Sequence, residues 1–261
     1  MRPSELAKMF ELEDTYWWFV GRRELARELL VRYLDRGPSI APGAGGNAAP
    51  TRPARRILLD VGCGTGATLK AIADLGVAVG IDRSPEALRF CRQRGIRDLA
   101  LATGEALPIR TGSVDAVLAL DLLEHIADDG AACREFARVL RPSGLLLVAV
   151  PSCPELWSEH DEALDHLRRY RARRLRRILL DAGLRIERLS PVITMLLLPI
   201  AALRLMQRVL PRKKGTPETA FIIPPPAVNW ILITLLRLER VWLRRLSLPA
   251  GVSLFAVARK Q

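Results

Sequence analysis

Between Leu58 and Gly66 an apolar run breaks into Asp60-Val61-Gly62-Cys63-Gly64-Thr65-Gly66, with glycine at three alternate positions. Glycine lacks a Cβ, so it accepts positive φ and lets backbone amides approach a ligand closely. A short strand ending in such a bend, with a helix N-terminus behind it, offers a site for a nucleotide-type ligand. The next apolar run, Val77–Ile81, leads into Asp82, twenty positions after Gly62. An acidic residue there is placed to accept hydrogen bonds from a ribose hydroxyl pair. Dinucleotide sites place their third glycine later, as GxGxxG. The tighter Gly62-x-Gly64-x-Gly66 suits a ligand with no pyrophosphate to cradle, which leaves nicotinamide redox chemistry the weakest reading.

A second group of reactive side chains follows a later apolar run, Leu145–Val150. It comprises Trp157-Ser158-Glu159-His160-Asp161 and His166-Leu167-Arg168-Arg169-Tyr170, and holds two of the three histidines. His160 or His166 could take a substrate proton, with Asp161 or Asp165 orienting it. Trp157, Asp161, Arg169 and Tyr170 are the candidate substrate-side residues. The competing reading is that both histidines merely brace the loop. His125, in Leu123-Glu124-His125, reads better as a helix start than as a catalytic group. Near the N-terminus, Tyr16-Trp17-Trp18-Phe19 with Arg22 forms an aromatic cluster that could pack or could close over a ligand. The four cysteines are widely spaced, with no CxxC and no adjacent histidine pattern. Reduced thiols are expected, with neither a disulfide framework nor a metal site.

These residues need a scaffold. From Ile57 onward short apolar strands alternate with helices, the pattern of a parallel sheet covered on both faces. Strands are predicted at Ile57–Val61, Val77–Ile81, Asp98–Ala102, Ala116–Leu120, Leu145–Val150, Leu184–Leu189 and Val252–Ala258. Helices are predicted at Met9–Leu34, Thr65–Leu75, Pro85–Arg94 (capped by Ser84), Asp128–Leu140 and Arg171–Ala182. Arg141-Pro142-Ser143-Gly144 reads as a turn. The fold class is therefore α/β, a Rossmann-like doubly wound sheet. An N-terminal helical arm (1–36) and a flexible Gly/Ala/Pro linker (37–56) precede the core (57–190). A basic, apolar insertion (191–250) precedes the final strand and tail (251–261).

The ordered segments Leu58–Gly66, Gly80-Ile81-Asp82, Gly104-Glu105-Ala106-Leu107-Pro108, Ser113–Val117, Leu123-Glu124-His125 and Leu140–Gly144 decide between cofactor classes. Together they resemble the class I S-adenosylmethionine-dependent methyltransferases, in particular the small-molecule (type 11-like) branch. The resemblance covers roughly Ile57–Leu189. It implies seven strands with an antiparallel C-terminal strand, and S-adenosyl-L-methionine as cofactor. It also implies that Asp60 and the loop Gly62, Cys63, Gly64 and Gly66 hold the methionine part. Asp82, with Arg83 beside it, would bind the ribose. Thr103, Gly104 and Glu105 would pass beside adenine, and Asp121 and Leu122 would sit near the sulfonium. The family often has Asp where Thr103 stands, so the Thr103 hydroxyl or Glu105 would have to replace it. The Tyr16–Arg22 segment too resembles N-terminal arms of related methyltransferases.

The formal net charge is +12, unevenly placed: residues 1–150 carry 20 Lys+Arg and 19 Asp+Glu, residues 151–261 carry 20 and 9. The second half therefore faces something anionic. Arg168–Arg177 holds seven arginines, and in Ala227–Leu246 Arg237, Arg240 and Arg244 share one side while Val228, Ile231, Leu232, Leu235 and Trp242 share another. Trp230 and Trp242 near the two ends complete the pattern of a helix lying in a membrane interface. Ser190–Leu203 is too short to span a bilayer, and Thr219–Leu236 is broken by Pro224-Pro225-Pro226. The insertion could instead cap a long apolar substrate or mediate dimerisation; the oligomeric state is open. No secretory signal precedes Trp17, so the expected location is cytoplasmic, peripheral at the inner face of the cytoplasmic membrane. The expected reaction is methyl transfer to a hydrophobic or lipid-linked small molecule, with oxygen the preferred acceptor. The alternatives are an RNA methyltransferase using the arginines, although no stacking platform accompanies them, and a catalytically silent membrane-peripheral scaffold.

Overall fold

The computed structural model describes residues 3–34, 55–209 and 223–261. Seven strands form one sheet: β1 (Ile57–Val61), β2 (Val77–Asp82), β3 (Leu99–Leu101), β4 (Val114–Leu120), β5 (Leu140–Pro151), β6 (Leu184–Val192) and β7 (Ser253–Lys260). Their order is β3-β2-β1-β4-β5-β7-β6, parallel except for β7, which runs antiparallel to β5 and β6. The order reverses between β1 and β4, so the loops after these two strands flank the crevice where open α/β sheets bind ligands. This is the expected Rossmann-like sheet. One detail differs. The predicted turn Arg141–Gly144 lies inside β5 as an irregularity, where pairing with β4 jumps from Leu140 to Leu145 and Ser143 takes a positive φ of 63°.

The helices are α1 (Pro3–Leu12), α2 (Trp17–Leu34), α3 (Ala67–Ile72), α4 (Pro85–Gln93), α5 (Asp129–Val139), α6 (Glu159–Ala163), α7 (Ala172–Asp181), α8 (Leu197–Val209) and α9 (Pro226–Leu243). Local chemistry sets several starts. Ser84 accepts a hydrogen bond from the Ala87 amide with Pro85 at the first helical position, and Asp128 accepts one from Ala131. On one face of the sheet Phe136 of α5, Leu175 and Leu179 of α7 and Tyr170 are buried against Val117, Leu146 and Val148. On the other, Leu25, Leu29, Leu30 and Tyr33 of α2 and Leu236 and Leu243 of α9 cover Leu118, Leu147 and Phe255. The N-terminal helical arm thus packs into the core through α2. The linker 37–56 lies almost entirely outside the described residues.

The single helix expected over Met9–Leu34 is broken at Glu13–Tyr16. Asn229, at the start of α9, clasps the break. Its Oδ1 accepts from the Trp17 amide (3.0 Å) and its Nδ2 donates to the Thr15 carbonyl (2.9 Å). The buried Glu239 fastens the same helix elsewhere, accepting from the amides of Ile193, Thr194 and Met195. Tertiary hydrogen bonds thus override the continuous helical pattern.

The arginines of α9 depart from expectation. Arg237 pairs with Glu24 (2.6 Å), Arg240 with Glu24 and Glu28 (3.0 Å each) and Arg244 with Glu28 (2.6 Å). They hold α9 to α2 instead of forming an open cationic face. The apolar side is also redistributed: Leu232 and Leu235 turn towards the core. Trp230, Ile231, Leu238, Val241 and Trp242 stay exposed, with Leu198, Leu205 and Met206 of α8. Among the described residues no helix is long and apolar enough to cross a membrane.

Candidate active site

The loop after β1 takes the conformation its glycines allow: φ is 73° at Gly62, 54° at Gly64 and 88° at Gly66. A Cβ on Gly62 would stand 2.8 Å from Leu122 Cδ1, and one on Gly64 2.7 Å from Met9 Cε. Asp82 ties this loop to the end of β2. Its Oδ2 accepts from the Gly64 amide and its Oδ1 from the Ser84 amide, both at 2.9 Å. A carboxylate has about four lone-pair positions, so two remain for a ribose diol. Asp60 is buried at the carboxyl half of β1. Burial first of all pushes its carboxyl up to about 7, with Asp82 and Glu13 adding to the rise and Arg22 opposing it.

A cavity of about 720 Å³ opens above these loops. Of the residues the family resemblance assigns to the cofactor, Asp60, Gly62, Cys63, Gly64, Asp82, Arg83, Thr103, Gly104, Glu105, Asp121 and Leu122 all line it. Gly66 does not; its φ serves the entry to α3, and a Cβ there would press on Cys91 and Ile96. The Cys63 thiol also turns away, lying 3.9 Å from that of Cys91 in the small cluster with Leu69 and Leu88. S-adenosylmethionine fits this donor set. The glycine cradle leaves room for a close backbone approach, Asp82 retains acceptor capacity, and carboxylates at Asp60 and Asp121 suit a cationic ligand.

The N-terminal helices roof the cavity. Tyr16, Trp17, Trp18 and Arg22 line it, and so do Leu6, Met9 and Glu13, which the sequence did not single out. Arg22 bonds Asp121, whose φ of 53° is unusual for a non-glycine residue. Glu13 accepts from the Ala67 amide (3.1 Å), capping α3, and pairs with Arg94 (2.8 Å). Arg94 also bonds Asp14 and lies over the Phe10 ring at 4.5 Å. The roof is therefore held through Arg94, a residue with no motif to announce it.

From the loops after β4 and β5 the cavity wall takes Glu124, His125, His160, His166 and Arg169, and from α8 it takes Arg204. Asp161 organises this end without lining the cavity. Fully buried, it accepts from His166 Nδ1 (3.0 Å), Arg169 Nε (2.7 Å), the Ser158 amide (2.9 Å) and Arg204 (3.3 Å). Although burial raises its pKa, the bonds to His166, Arg169 and Arg204 outweigh that effect and hold the carboxyl well below the usual carboxylate range. Burial, followed by Arg204, lowers His160 to about 4, and burial with His166 lowers His125 to about 4. Both imidazoles are neutral at pH 7.

Three expected substrate contacts need correction. Asp161 is a bracket behind the wall. Trp157 does not line the cavity; its Nε1 reaches Glu162 at 3.4 Å. Tyr170 is fully buried beneath the loop, its hydroxyl shared between the Leu123 carbonyl (3.0 Å) and Asp129 (2.8 Å). The apolar walls also include Ile200, Leu203 and Leu232 from the 191–250 segment, so α8 and α9 reach the cavity.

Comparison with known proteins places this geometry. Residues 59–148 match the family model described as a methyltransferase domain. A ubiquinone biosynthesis O-methyltransferase of Xanthomonas oryzae pv. oryzae is 38% identical over 153 residues, 56% of this chain and 60% of that protein. A mouse tRNA (carboxymethyluridine(34)-5-O)-methyltransferase is 37% identical over 101 residues, 38% of this chain and 15% of that protein. The chain thus spans less than two thirds of the length of these relatives. Among solved structures, an S-adenosylmethionine-dependent methyltransferase of Thermotoga maritima superposes with a TM-score of 0.58 at 15% identity, covering 99% of this chain and 96% of that one. Residues 59–148 therefore match a methyltransferase domain, and the chain as a whole has the fold of S-adenosylmethionine-dependent methyltransferases, with the glycine cradle and the acidic residue closing β2 at the cofactor position.

Proposed function

We propose that the protein transfers a methyl group from S-adenosylmethionine to an oxygen of a hydrophobic small molecule. The observation that carries the reading is the single cavity wall that joins Asp60, Gly64 and Asp82 at one end to His160, His166 and Arg169 at the other. When bound, the cofactor supplies a methyl already activated by its sulfonium. The chain's own task is then to align an acceptor, which is worth ~7–11 kcal/mol of barrier. Removing the acceptor's proton adds ~10²–10⁴-fold. The His166 ring donates through Nδ1 to Asp161, which leaves its Nε2 lone pair available at this end. The roof of Leu6, Trp17 and Trp18 with Ile200, Leu203 and Leu232 excludes water and favours an apolar acceptor. The ubiquinone-pathway relative supports both the oxygen and the apolar character.

Peripheral attachment to the inner face of the cytoplasmic membrane belongs to the same reading. Its support is the exposed stripe of Trp230, Ile231, Leu238, Val241 and Trp242 along α9, with Leu205 and Met206 of α8 exposed as well. Tryptophans at both ends of an apolar stripe suit a membrane interface. RNA methyl transfer is the second reading, favoured by the tRNA-modifying relative and by exposed Arg173 and Arg176 on α7, which form no ion pair among the described residues. Two measurements test these readings. Membrane extracts incubated with labelled cofactor should yield a labelled organic-soluble product, and anionic liposomes should float the protein. Label in RNA, with no liposome flotation, would reverse the preference.

A further inference from the structure

We propose that Glu124, His125 and His166 form a binding site for one divalent first-row transition ion, of which Zn²⁺ is the type, opening onto the large cavity. The sequence shows no metal pattern because His166 lies far along the chain from the adjacent pair. The fold removes that separation: the Leu167 amide donates to the Glu124 carbonyl at 2.8 Å, pinning one loop on the other. One ligand atom from each of the three side chains lies within 4.8 Å of the others. An ion about 2.0–2.1 Å from each would set them about 3.4 Å apart, a closure that small side-chain rotations supply.

Two further observations point to a ligand. Glu124 is fully buried, and neither of its carboxylate oxygens has a hydrogen-bond partner. A buried carboxylate without a partner is costly, and an ion would satisfy it. Both imidazoles are also oriented as ligands. His166 Nδ1 faces Asp161 Oδ1 at 3.0 Å and His125 Nδ1 faces the Asp165 carbonyl at 3.4 Å. Each partner is an acceptor, so each Nδ1 carries the proton and each Nε2 presents a lone pair. This carboxylate- or carbonyl-anchored histidine is the usual support behind a metal ligand. The rings stand edge to face, 4.8 Å between centroids.

Two nitrogens and one oxygen suit Zn²⁺, Co²⁺ or Mn²⁺ better than Mg²⁺ or Ca²⁺, which prefer all-oxygen shells. Three protein ligands leave coordination positions open. Those positions face the cavity, where an acceptor's hydroxyl could complete the shell. The ion would lower that hydroxyl's pKa and release its proton to solvent, with His166 a ligand rather than a base. That role rests on the methyl-transfer reading; ion binding does not.

The test uses the full chain, freed of metal by chelation and dialysis. It is titrated with Zn²⁺ by calorimetry and with Co²⁺ by visible absorption, in the absence of S-adenosylhomocysteine. The wild type and Cys153→Ser should each take up one ion per chain. Glu124→Gln, His125→Gln and His166→Gln should each bind at least tenfold more weakly, while their circular dichroism stays that of the wild type. Failure of the wild type to bind a stoichiometric ion overturns the site, whatever the variants do. So does undiminished binding in all three folded variants. S-adenosylhomocysteine binding, measured separately on the metal-free chain, reports on the methyltransferase reading alone.

Discussion

The two ends of the cavity are built from different materials. The cofactor end is backbone: three glycines with positive φ, a helix entrance and one carboxylate that braces two amides. The acceptor end is side chain: Glu124, His125, His160, His166, Arg169 and Arg204 converge from three separate stretches of chain, organised by the buried Asp161. A backbone cradle tolerates little variation, because positive φ is costly for other residues and a Cβ on Gly62 or Gly64 would stand within 2.8 Å of a neighbouring side chain. A side-chain cluster tolerates many arrangements, provided that each buried charge finds a partner. One end can therefore serve a common cofactor while the other is adapted to a particular acceptor.

The contrast breaks or sharpens under substitution. The largest effect is expected at the cradle. Asp82→Ala removes two amide brackets and the ribose acceptor, and by calorimetry should weaken S-adenosylhomocysteine binding by about 10²–10⁴-fold, at ~1.5–3 kcal/mol per charged hydrogen bond. Gly64→Val, which strains a φ of 54° and fills the cradle, should weaken binding comparably. Normal affinity in both variants would remove the cofactor assignment. At the acceptor end Asp161→Asn leaves Arg169 buried without its counter-charge. Thermal and urea melts should show a loss of ~3–5 kcal/mol, with cofactor affinity within a few-fold of wild type. If affinity fell as far as in Asp82→Ala, the two ends would be one unit.

Smaller effects probe how α9 is attached. Glu239→Gln replaces the charged acceptor of three backbone amides and should cost ~1.5–3 kcal/mol in urea melts. The half-exposed pairs of Arg237, Arg240 and Arg244 with Glu24 and Glu28 should contribute less, ~0.2–1 kcal/mol each, and weaken in salt. A double-mutant cycle on Glu28 and Arg244 checks this.

Asp60 on the one side and His125 and His160 on the other pull stability in opposite directions with pH. Burial raises Asp60 to about 7, so the folded chain holds this proton more tightly than the unfolded chain does. Its contribution falls as pH rises from about 4 to about 7. His125 and His160, lowered to about 4, bind protons more tightly when unfolded. Their contribution is full above about 6.5 and is lost as pH falls towards 4. Melting temperatures of Asp60→Asn should therefore rise more steeply than wild type between pH 4 and 7. An unchanged slope would mean that the Asp60 shift is absent.

Two arginine-rich helices show where sequence reading stops. α7 and α9 look alike in sequence as basic amphipathic segments, a pattern that suits an anionic partner. On α9 the carboxylates that neutralise Arg237, Arg240 and Arg244 come from α2, some two hundred positions earlier, so no local pattern reveals them. On α7, Arg174 reaches Asp129 of α5 at 2.9 Å, while Arg173 and Arg176 remain exposed. Charge composition counts residues; it does not say which charges are already paired. The same limit hid Arg94 and Glu13, whose contact fixes the roof, and misplaced Tyr170, whose ring is large enough to be taken into the core.

The alternation of apolar strands and helices, the glycine bend and the aspartate closing β2 were legible in the chain alone, because each is a local demand of backbone geometry carried by neighbouring residues. The antiparallel last strand and the cofactor's identity came through the resemblance of ordered motifs. What only tertiary structure decided is the acceptor end: which histidines face the cavity, which carboxylate stands behind them, and that Glu124 lies beside His166. Those outcomes depend on how loops of distant strands stack across the crevice, a matter of long-range packing and charge pairing that no short window of sequence contains.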